Sequence, residues 1–260
     1  MRIALLQMNV VLGEPETNRS KVEQMVEEAV KEKPDVIVLP ETWNTGFFPE
    51  NVAELADVKG EPACSLLSRL ARENNVNIVG GSISNNVDGK VYNTNYVFNR
   101  KGELVSEYRK IHLFSPSGEH NYFEHGREIS IYEIDGVKAA TVICYDIRFV
   151  ELIRTLALKG IEILFVPAQW PHPRLEHWRT LLKARAIENQ MFVAAVNGVG
   201  EAGKLEFCGT SMLLDPWGKV IAGAEEDEGI ITGEIDLSII KDIRERINVF
   251  RDRRPEVYEL

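Results

Sequence analysis

The chain predicts an α/β fold in which two sheets lie face to face and helices cover their outer surfaces. Three observations carry this. Amphipathic helical segments alternate with short apolar runs along nearly the whole length. Val36-Ile37-Val38-Leu39 is apolar throughout, the pattern of a strand covered on both faces. A helix-then-strand unit closed by proline occurs twice, ending in Lys33-Pro34-Asp35-Val36-Ile37-Val38-Leu39-Pro40 and in Lys159-Gly160-Ile161-Glu162-Ile163-Leu164-Phe165-Val166-Pro167, which reads as two halves stacked about a pseudo-twofold.

The elements follow in order. Arg2–Met8 is a buried first strand, and Thr17–Lys31 is an amphipathic helix with Val22, Met25, Val26, Ala29 and Val30 inward. The strand from Val36 ends at Pro40-Glu41, which leaves a carboxylate at its carboxyl end. Trp43–Phe48 is an aromatic loop. Helix Pro62–Asn74 leads into strand Asn77–Ile83, a turn at Asn85-Asn86-Val87-Asp88-Gly89, and strand Val91–Asn99. After Lys101-Gly102, Glu103–Tyr108 returns to deliver Arg109-Lys110-Ile111-His112. Ser115–Arg127 has no period and reads as an irregular loop of the kind that carries function. Ile129–Ile134 and Val137–Ile143 form a hairpin around Asp135-Gly136 that ends at Cys144. Helix Phe149–Lys159, strand Ile161–Val166, helix Leu175–Asn189, and strands Phe192–Asn197 and Phe207–Leu214 come next. The turn Asp215-Pro216-Trp217-Gly218 then opens on two short strands and a helix from Leu237 to about Ile247.

Composition bounds the function. At 260 residues without a linker-like stretch, the chain is read as a single domain, 1–260, whose tail from about 248 to 260 packs on a partner subunit. Hydrophobic residues at 44% and charged residues at 27% allow a sizeable core and exclude disorder. A net charge of −10 excludes nucleic acid and anionic membrane as partners, so an anionic small substrate must be met by a local Arg or Lys. Three cysteines without regular spacing make no disulfide framework and suit a reducing compartment, the cytoplasm. Gln7 and Asn9 break the first apolar run, so it is no signal peptide, and no run reaches the ~20 apolar residues of a membrane span.

Of the cysteines, Cys64 falls among Leu66, Leu67, Leu70 and Ala71 at helical spacing, and Cys208 lies in a strand-like run. Both read as core. Cys144 stands instead at a strand tip, followed by the polar Tyr145-Asp146-Ile147-Arg148, where N–H groups of the turn and helix start favour a thiolate or an oxyanion. That position suits a nucleophile.

Leu39-Pro40-Glu41, Tyr108-Arg109-Lys110-Ile111-His112-Leu113 and Cys144-Tyr145-Asp146-Ile147-Arg148-Phe149, followed by Ala184-Arg185-Ala186-Ile187-Glu188-Asn189-Gln190, together resemble the nitrilase (carbon–nitrogen hydrolase) superfamily. The resemblance spans most of the chain. It implies a four-layer αββα sandwich of two mixed sheets with helices outside, a catalytic set of Glu41, Lys110 and Cys144, a second glutamate at Glu119, no cofactor, no metal, and a homodimer. Lys110-Ile111-His112-Leu113-Phe114, the cysteine motif and Gln169-Trp170-Pro171-His172-Pro173-Arg174 look most like the ω-amidase branch. Val142 stands where many ω-amidases carry glycine, which is expected to tighten the pocket.

The implied chemistry is hydrolysis of the terminal amide of a 2-oxo dicarboxylic acid monoamide, 2-oxoglutaramate or 2-oxosuccinamate, through a cysteine thioester. A free thiol has a pKa of about 8.5 and needs a base, for which Glu41 is the candidate. Lys110 and the Tyr145 N–H would hold the oxyanion. Arg148 and Arg174 are candidates for the remote carboxylate, and Trp43, Phe48, Tyr145 and Trp170 for the pocket wall. Alternatives stay open at this level: a nitrilase or N-carbamoyl amidohydrolase with the same three residues, a papain-like enzyme using one of the five histidines, a metal site from Glu119, His120, Glu124 and His125, and a non-enzymatic binding or adaptor protein.

Overall fold

Why two sheets rather than one follows from the strand side chains, whose alternate members must be buried in different layers. A computed structural model describes residues 1–258. Its strands are β1 (Arg2–Gln7), β2 (Val36–Val38), β3 (Asp57–Val58), β4 (Asn77–Val79), β5 (Ile83–Val87), β6 (Lys90–Phe98), β7 (Leu104–Arg109), β8 (Ile131–Ile134), β9 (Val137–Thr141), β10 (Ile163–Ala168), β11 (Phe192–Asn197), β12 (Val199–Ala202), β13 (Leu205–Cys208), β14 (Met212–Leu214), β15 (Val220–Gly223) and β16 (Gly229–Glu234). The α-helices are α1 (Pro15–Ala29), α2 (Val52–Leu55), α3 (Ala63–Asn74), α4 (Val150–Leu158), α5 (Leu175–Asn189) and α6 (Ile239–Arg246).

One mixed sheet runs β16-β1-β2-β4-β6-β5-β3 with β7 also on β6, and the other runs β15-β14-β11-β10-β9-β8. Period-2 alternation sorts their side chains. Ile3, Leu5, Val36 and Val38 face Ala139, Ile163, Phe165, Ala194 and Val196 between the sheets. The intervening Ala4, Leu6, Ile37 and Leu39 point outward onto Val22 and Val26 of α1 and Leu67 and Leu70 of α3. On the far side Leu164 and Val166 meet Leu152, Ile153 and Leu156 of α4 and Trp178 and Leu182 of α5. Three stacked cores between four layers make the αββα sandwich.

The two proline-closed units occupy equivalent places, β2 in one sheet and β10 in the other. Parallel β1-β2-β4 and parallel β9-β10-β11 form their centres. The ends of β2 and β10 meet, with the Glu41 N–H reaching the Ala168 carbonyl at 3.5 Å. Strand ends from both halves therefore converge at Glu41.

Two expected strands are broken. Asn77–Ile83 divides at Gly80-Gly81-Ser82, because this segment passes beneath Pro40–Trp43. The Ser82 N–H donates to the Pro40 carbonyl at 3.0 Å, and the Thr42 N–H donates to Ser82 Oγ at 2.9 Å. Strand pairing then runs on through Asn85–Val87, so the turn is confined to Asp88-Gly89. Phe207–Leu214 divides at Gly209-Thr210-Ser211, where the Ser211 N–H turns to Gln7 Oε1 at 2.9 Å, and β13 pairs with β12 in a separate hairpin. The tail begins by folding onto its own chain, with Phe250 beneath the Arg154 and Arg244 guanidinium groups at 5.6 and 5.1 Å. Arg251 onward is mostly exposed, and positions 259 and 260 of the expected partner-binding tail lie outside the described residues.

Gly81 ties the fold to Glu41. It has φ +59°, and a Cβ there would lie 2.0 Å from the Pro40 carbonyl oxygen and 2.6 Å from that of Leu39. Since backbone cannot yield cheaply, Gly81→Ala is expected to cost about 3 kcal/mol in urea denaturation and to lower turnover by displacing Glu41. A variant with native stability would refute this tight coupling.

Candidate active site

Each proposed catalytic side chain stands just beyond a strand end. Glu41 lies past β2, Lys110 follows β7, and Glu119 sits in a short 3-10 turn, Glu119–Asn121, inside the irregular loop. Cys144 opens the 3-10 turn Cys144–Arg148 beyond β9 and holds φ +46°, a strained value for a non-glycine residue. As the second residue of that turn, Tyr145 has an N–H without an acceptor inside the turn, free to serve an oxyanion.

Lys110, Glu41 and Glu119 form a fully buried ion cluster. Lys110 Nζ donates to Glu41 Oε1 at 2.7 Å and to Glu119 Oε1 and Oε2 at 2.9 and 2.8 Å. All three side chains have no exposed surface. Burial alone would push the Lys110 ammonium down, but the Glu119 and Glu41 carboxylates outweigh it and hold the group charged. Burial raises Glu119 from its ordinary value, with Lys110 opposing and Glu41 adding to the rise. Glu41 Oε2 accepts the Gln169 N–H at 2.8 Å, and Gln169 Nε2 donates to the Glu41 carbonyl at 3.2 Å.

Cys144 is only 5% exposed. Burial pushes its thiol well above the ordinary value, and the Glu41 carboxylate within hydrogen-bonding reach adds to this while Lys110 opposes. The carboxylates thus oppose the N–H groups of the turn and favour the thiol over the thiolate.

Asp146 clamps the nucleophile's turn to the segment bearing Lys110. Fully buried, it accepts the Ile143 N–H at 2.9 Å and the Tyr108 hydroxyl at 2.7 Å on Oδ2, and the His112 N–H at 3.0 Å on Oδ1. His112 Nδ1 lies 2.8 Å from the same Oδ1, and its ring stacks on Phe149 at 3.6 Å. This histidine is a structural partner of Asp146, so the papain-like alternative gains no support from it. His120, Glu124 and His125 are exposed while Glu119 turns inward, so the four residues of the metal alternative do not converge.

A narrow cavity opens on the sulfur, lined by Cys144, Tyr145 and Gln169, by Phe47, Phe114 and Trp170, and by Arg148 and Arg174. Arg148 lies over the Trp170 ring at 4.8 Å and Arg174 over Phe114 at 5.0 Å. Burial lowers the Arg148 guanidinium, Tyr145 opposes, and the neighbouring Arg174 charge lowers it further. Among the described residues neither arginine has a carboxylate partner. Trp43 is not in the cavity: it is fully buried in the helix-side core and donates its indole N–H to the Gly80 carbonyl at 2.8 Å. Phe48 packs on Tyr122 and Phe123, and its neighbour Phe47 takes the expected place. Val142 is also core beneath α4 and α5, so it does not tighten the pocket.

Sequence reasoning missed Asn93, Asp146 and Gln169 as members of the site. A signal existed for Asn93 and Asn95, which share one face of β6 and are both buried, since a buried amide in a strand needs a specific partner. The cluster also makes a stability prediction. Lys110→Met leaves two buried carboxylates uncompensated and is expected to cost about 3–5 kcal/mol near neutral pH. Losing the ammonium removes the charge that opposes the rise of Glu119, so the deficit should shrink as pH falls and a proton enters. A pH-independent deficit in urea denaturation would contradict the cluster's charge state.

Comparison with known proteins agrees with this geometry. Residues 2–245 match the model of the carbon–nitrogen hydrolase family. The chain is 46% identical over 256 residues to the 2-oxoglutaramate amidase of Bacillus subtilis (strain 168), covering 98% of each. It is 34% identical over 272 residues to Omega-amidase NIT2 of Danio rerio, covering 100% of this chain and 96% of that one. Its structure superposes with a TM-score of 0.92 and 30% identity on XC1258 of Xanthomonas campestris, a CN-hydrolase superfamily protein with an arsenic adduct in the active site, covering 100% and 98% of the two chains. The αββα sandwich, the family match along almost the whole chain and these relatives together make the chain an amidase-type member of the carbon–nitrogen hydrolase (nitrilase) superfamily, on its ω-amidase-like branch.

Proposed function

We propose that the chain is an ω-amidase that hydrolyses 2-oxoglutaramate or 2-oxosuccinamate to the 2-oxo dicarboxylic acid and ammonia, with Cys144 as nucleophile, Glu41 as base, Lys110 as oxyanion donor and Glu119 holding Lys110. The observation that carries this is the buried Lys110 ammonium shared between Glu41 and Glu119 beside a buried Cys144. The substrate class rests on the similarity to the Bacillus subtilis enzyme and on two arginines that line the cavity without a carboxylate partner among the described residues.

The steps balance. Glu41 takes the thiol proton as the Cys144 sulfur bonds to the amide carbon, and the oxyanion forms against Lys110 Nζ and the Tyr145 N–H. Glu41 then returns the proton to the departing nitrogen, the C–N bond breaks and ammonia leaves a thioester. Water gives a proton to Glu41 and attacks the thioester carbon. The C–S bond breaks, and the sulfur regains the proton from Glu41. Each oxyanion donor of this kind typically lowers the barrier by about 2.7–4 kcal/mol.

Arg148 and Arg174 pair with the remote carboxylate, and the narrow aromatic cavity admits a short, flat acid in preference to a bulky amide. The reading includes a cytoplasmic homodimer. An ammonia-release panel tests it on enzyme whose solution mass is read by light scattering, where a monomer would exclude the dimer. Fast turnover is expected with 2-oxoglutaramate and 2-oxosuccinamate and little with glutamine, a simple nitrile or a carbamoyl amino acid, with KM raised at least about tenfold in Arg148→Ala or Arg174→Ala. Preference for the nitrile or the carbamoyl compound would overturn the substrate class.

A further inference from the structure

Among the described residues, Asn93 is the one hydrogen-bonded to all three charged members of the cluster. From β6 its Nδ2 lies 2.8 Å from Glu41 Oε1 and 3.2 Å from Glu119 Oε1. Its backbone carbonyl accepts the Lys110 N–H at 2.9 Å. The side chain is 1% exposed. Both partners are carboxylates that accept only, so the atom between them must be the amide nitrogen, and chemistry alone fixes which way the amide faces.

This placement answers a problem the three charges leave unsolved. One ammonium faces two carboxylates, and it can neutralise only one of them. A second cation would compensate the remaining charge, but it would also compete with Lys110 for Glu41. A neutral amide gives each carboxylate a further hydrogen bond and adds no charge. It also fixes the plane of Glu41: Oε1 is occupied by Lys110 and Asn93, and Oε2 takes the Gln169 N–H, so the lone-pair capacity left is limited and directed.

We propose that Asn93 is a positioning residue that orients Glu41 for proton transfer to and from Cys144 and keeps Glu41 and Glu119 apart. It acts through those acids and touches neither the sulfur nor the substrate. This rests on the reading of Glu41 as the base. The titratable and charged groups facing Glu41 are Lys110 from the end of β7, Glu119 from the loop beyond it and Cys144 from the turn after β9.

The test compares Asn93→Ala, the near-isosteric Asn93→Asp and Glu41→Gln in steady-state kinetics against 2-oxoglutaramate across pH, with folding checked by circular dichroism and thermal unfolding. Asn93→Ala is expected to lower kcat by about 10- to 100-fold, the size of one hydrogen bond to a charged group, with KM changed less than about twofold. Asn93→Asp preserves shape and should be impaired further near neutral pH, where a third carboxylate faces two others, with partial recovery as pH falls and its own proton restores a donor. If Asn93→Ala does not fold, Asn93→Asp carries the test alone. A folded variant with unchanged kcat, or with a loss that falls on KM as much as on kcat, overturns the role of Asn93. Glu41→Gln separates the two readings: if it is inactive while Asn93→Ala behaves as wild type, only this inference fails, and if it retains activity the base itself is misassigned.

Discussion

One buried ammonium shared by two carboxylates constrains this molecule more than any other contact. Lys110 cannot leave water unless Glu41 and Glu119 come with it, and neither acid can be buried alone without a large desolvation penalty. The three come from different parts of the chain, so the cluster forms only when the first sheet, its last antiparallel strand and the loop after it are all in place. Burial of this kind is a poor source of stability, since apolar residues of similar volume would do as well or better. Its effect is to fix charge and direction in a small space: the carboxylates favour the thiol form of Cys144, and in the proposed mechanism Glu41 takes its proton.

The surrounding fold is arranged to hold those groups without further charge. Strand ends from both halves of the sandwich meet at Glu41, which is hydrogen-bonded from Gln169 of the second half while the Leu39-Pro40 backbone that leads into it lies over Gly81 of the first. Asp146 does the equivalent for the nucleophile by joining the turn of Cys144 to Tyr108 and His112 on either side of Lys110. The two sheets share the core between them, and some of the polar contacts that join their ends, from Glu41 to Ala168 and Gln169, run through the site itself.

Much of this was legible in the chain. Apolar runs at Val36–Leu39 and Ile161–Val166, and helices with regular apolar spacing, gave the layers, since burial on two faces leaves a plain pattern. The placement of Glu41, Lys110 and Cys144 at strand ends could also be read, because each follows directly on a strand-like run. What escaped depended on long-range geometry. Nothing local distinguishes Trp43 from Phe47, yet one is core and the other lines the cavity. The strand breaks at Gly80–Ser82 and Gly209–Ser211 arise from bonds to segments distant in sequence. Reading the turn's N–H groups alone suggested a thiolate, whereas the carboxylates that oppose it are supplied from elsewhere.

The central claim is that Glu41, and no intrinsic acidity of the sulfur, makes Cys144 reactive. The most direct measurement is the pH dependence of Cys144 alkylation by iodoacetamide, followed by peptide mass spectrometry in the wild type and in Glu41→Gln. The account predicts ready labelling of the wild type near neutral pH and labelling slower by about 100-fold or more in the variant. Superimposable profiles for the two proteins would contradict it.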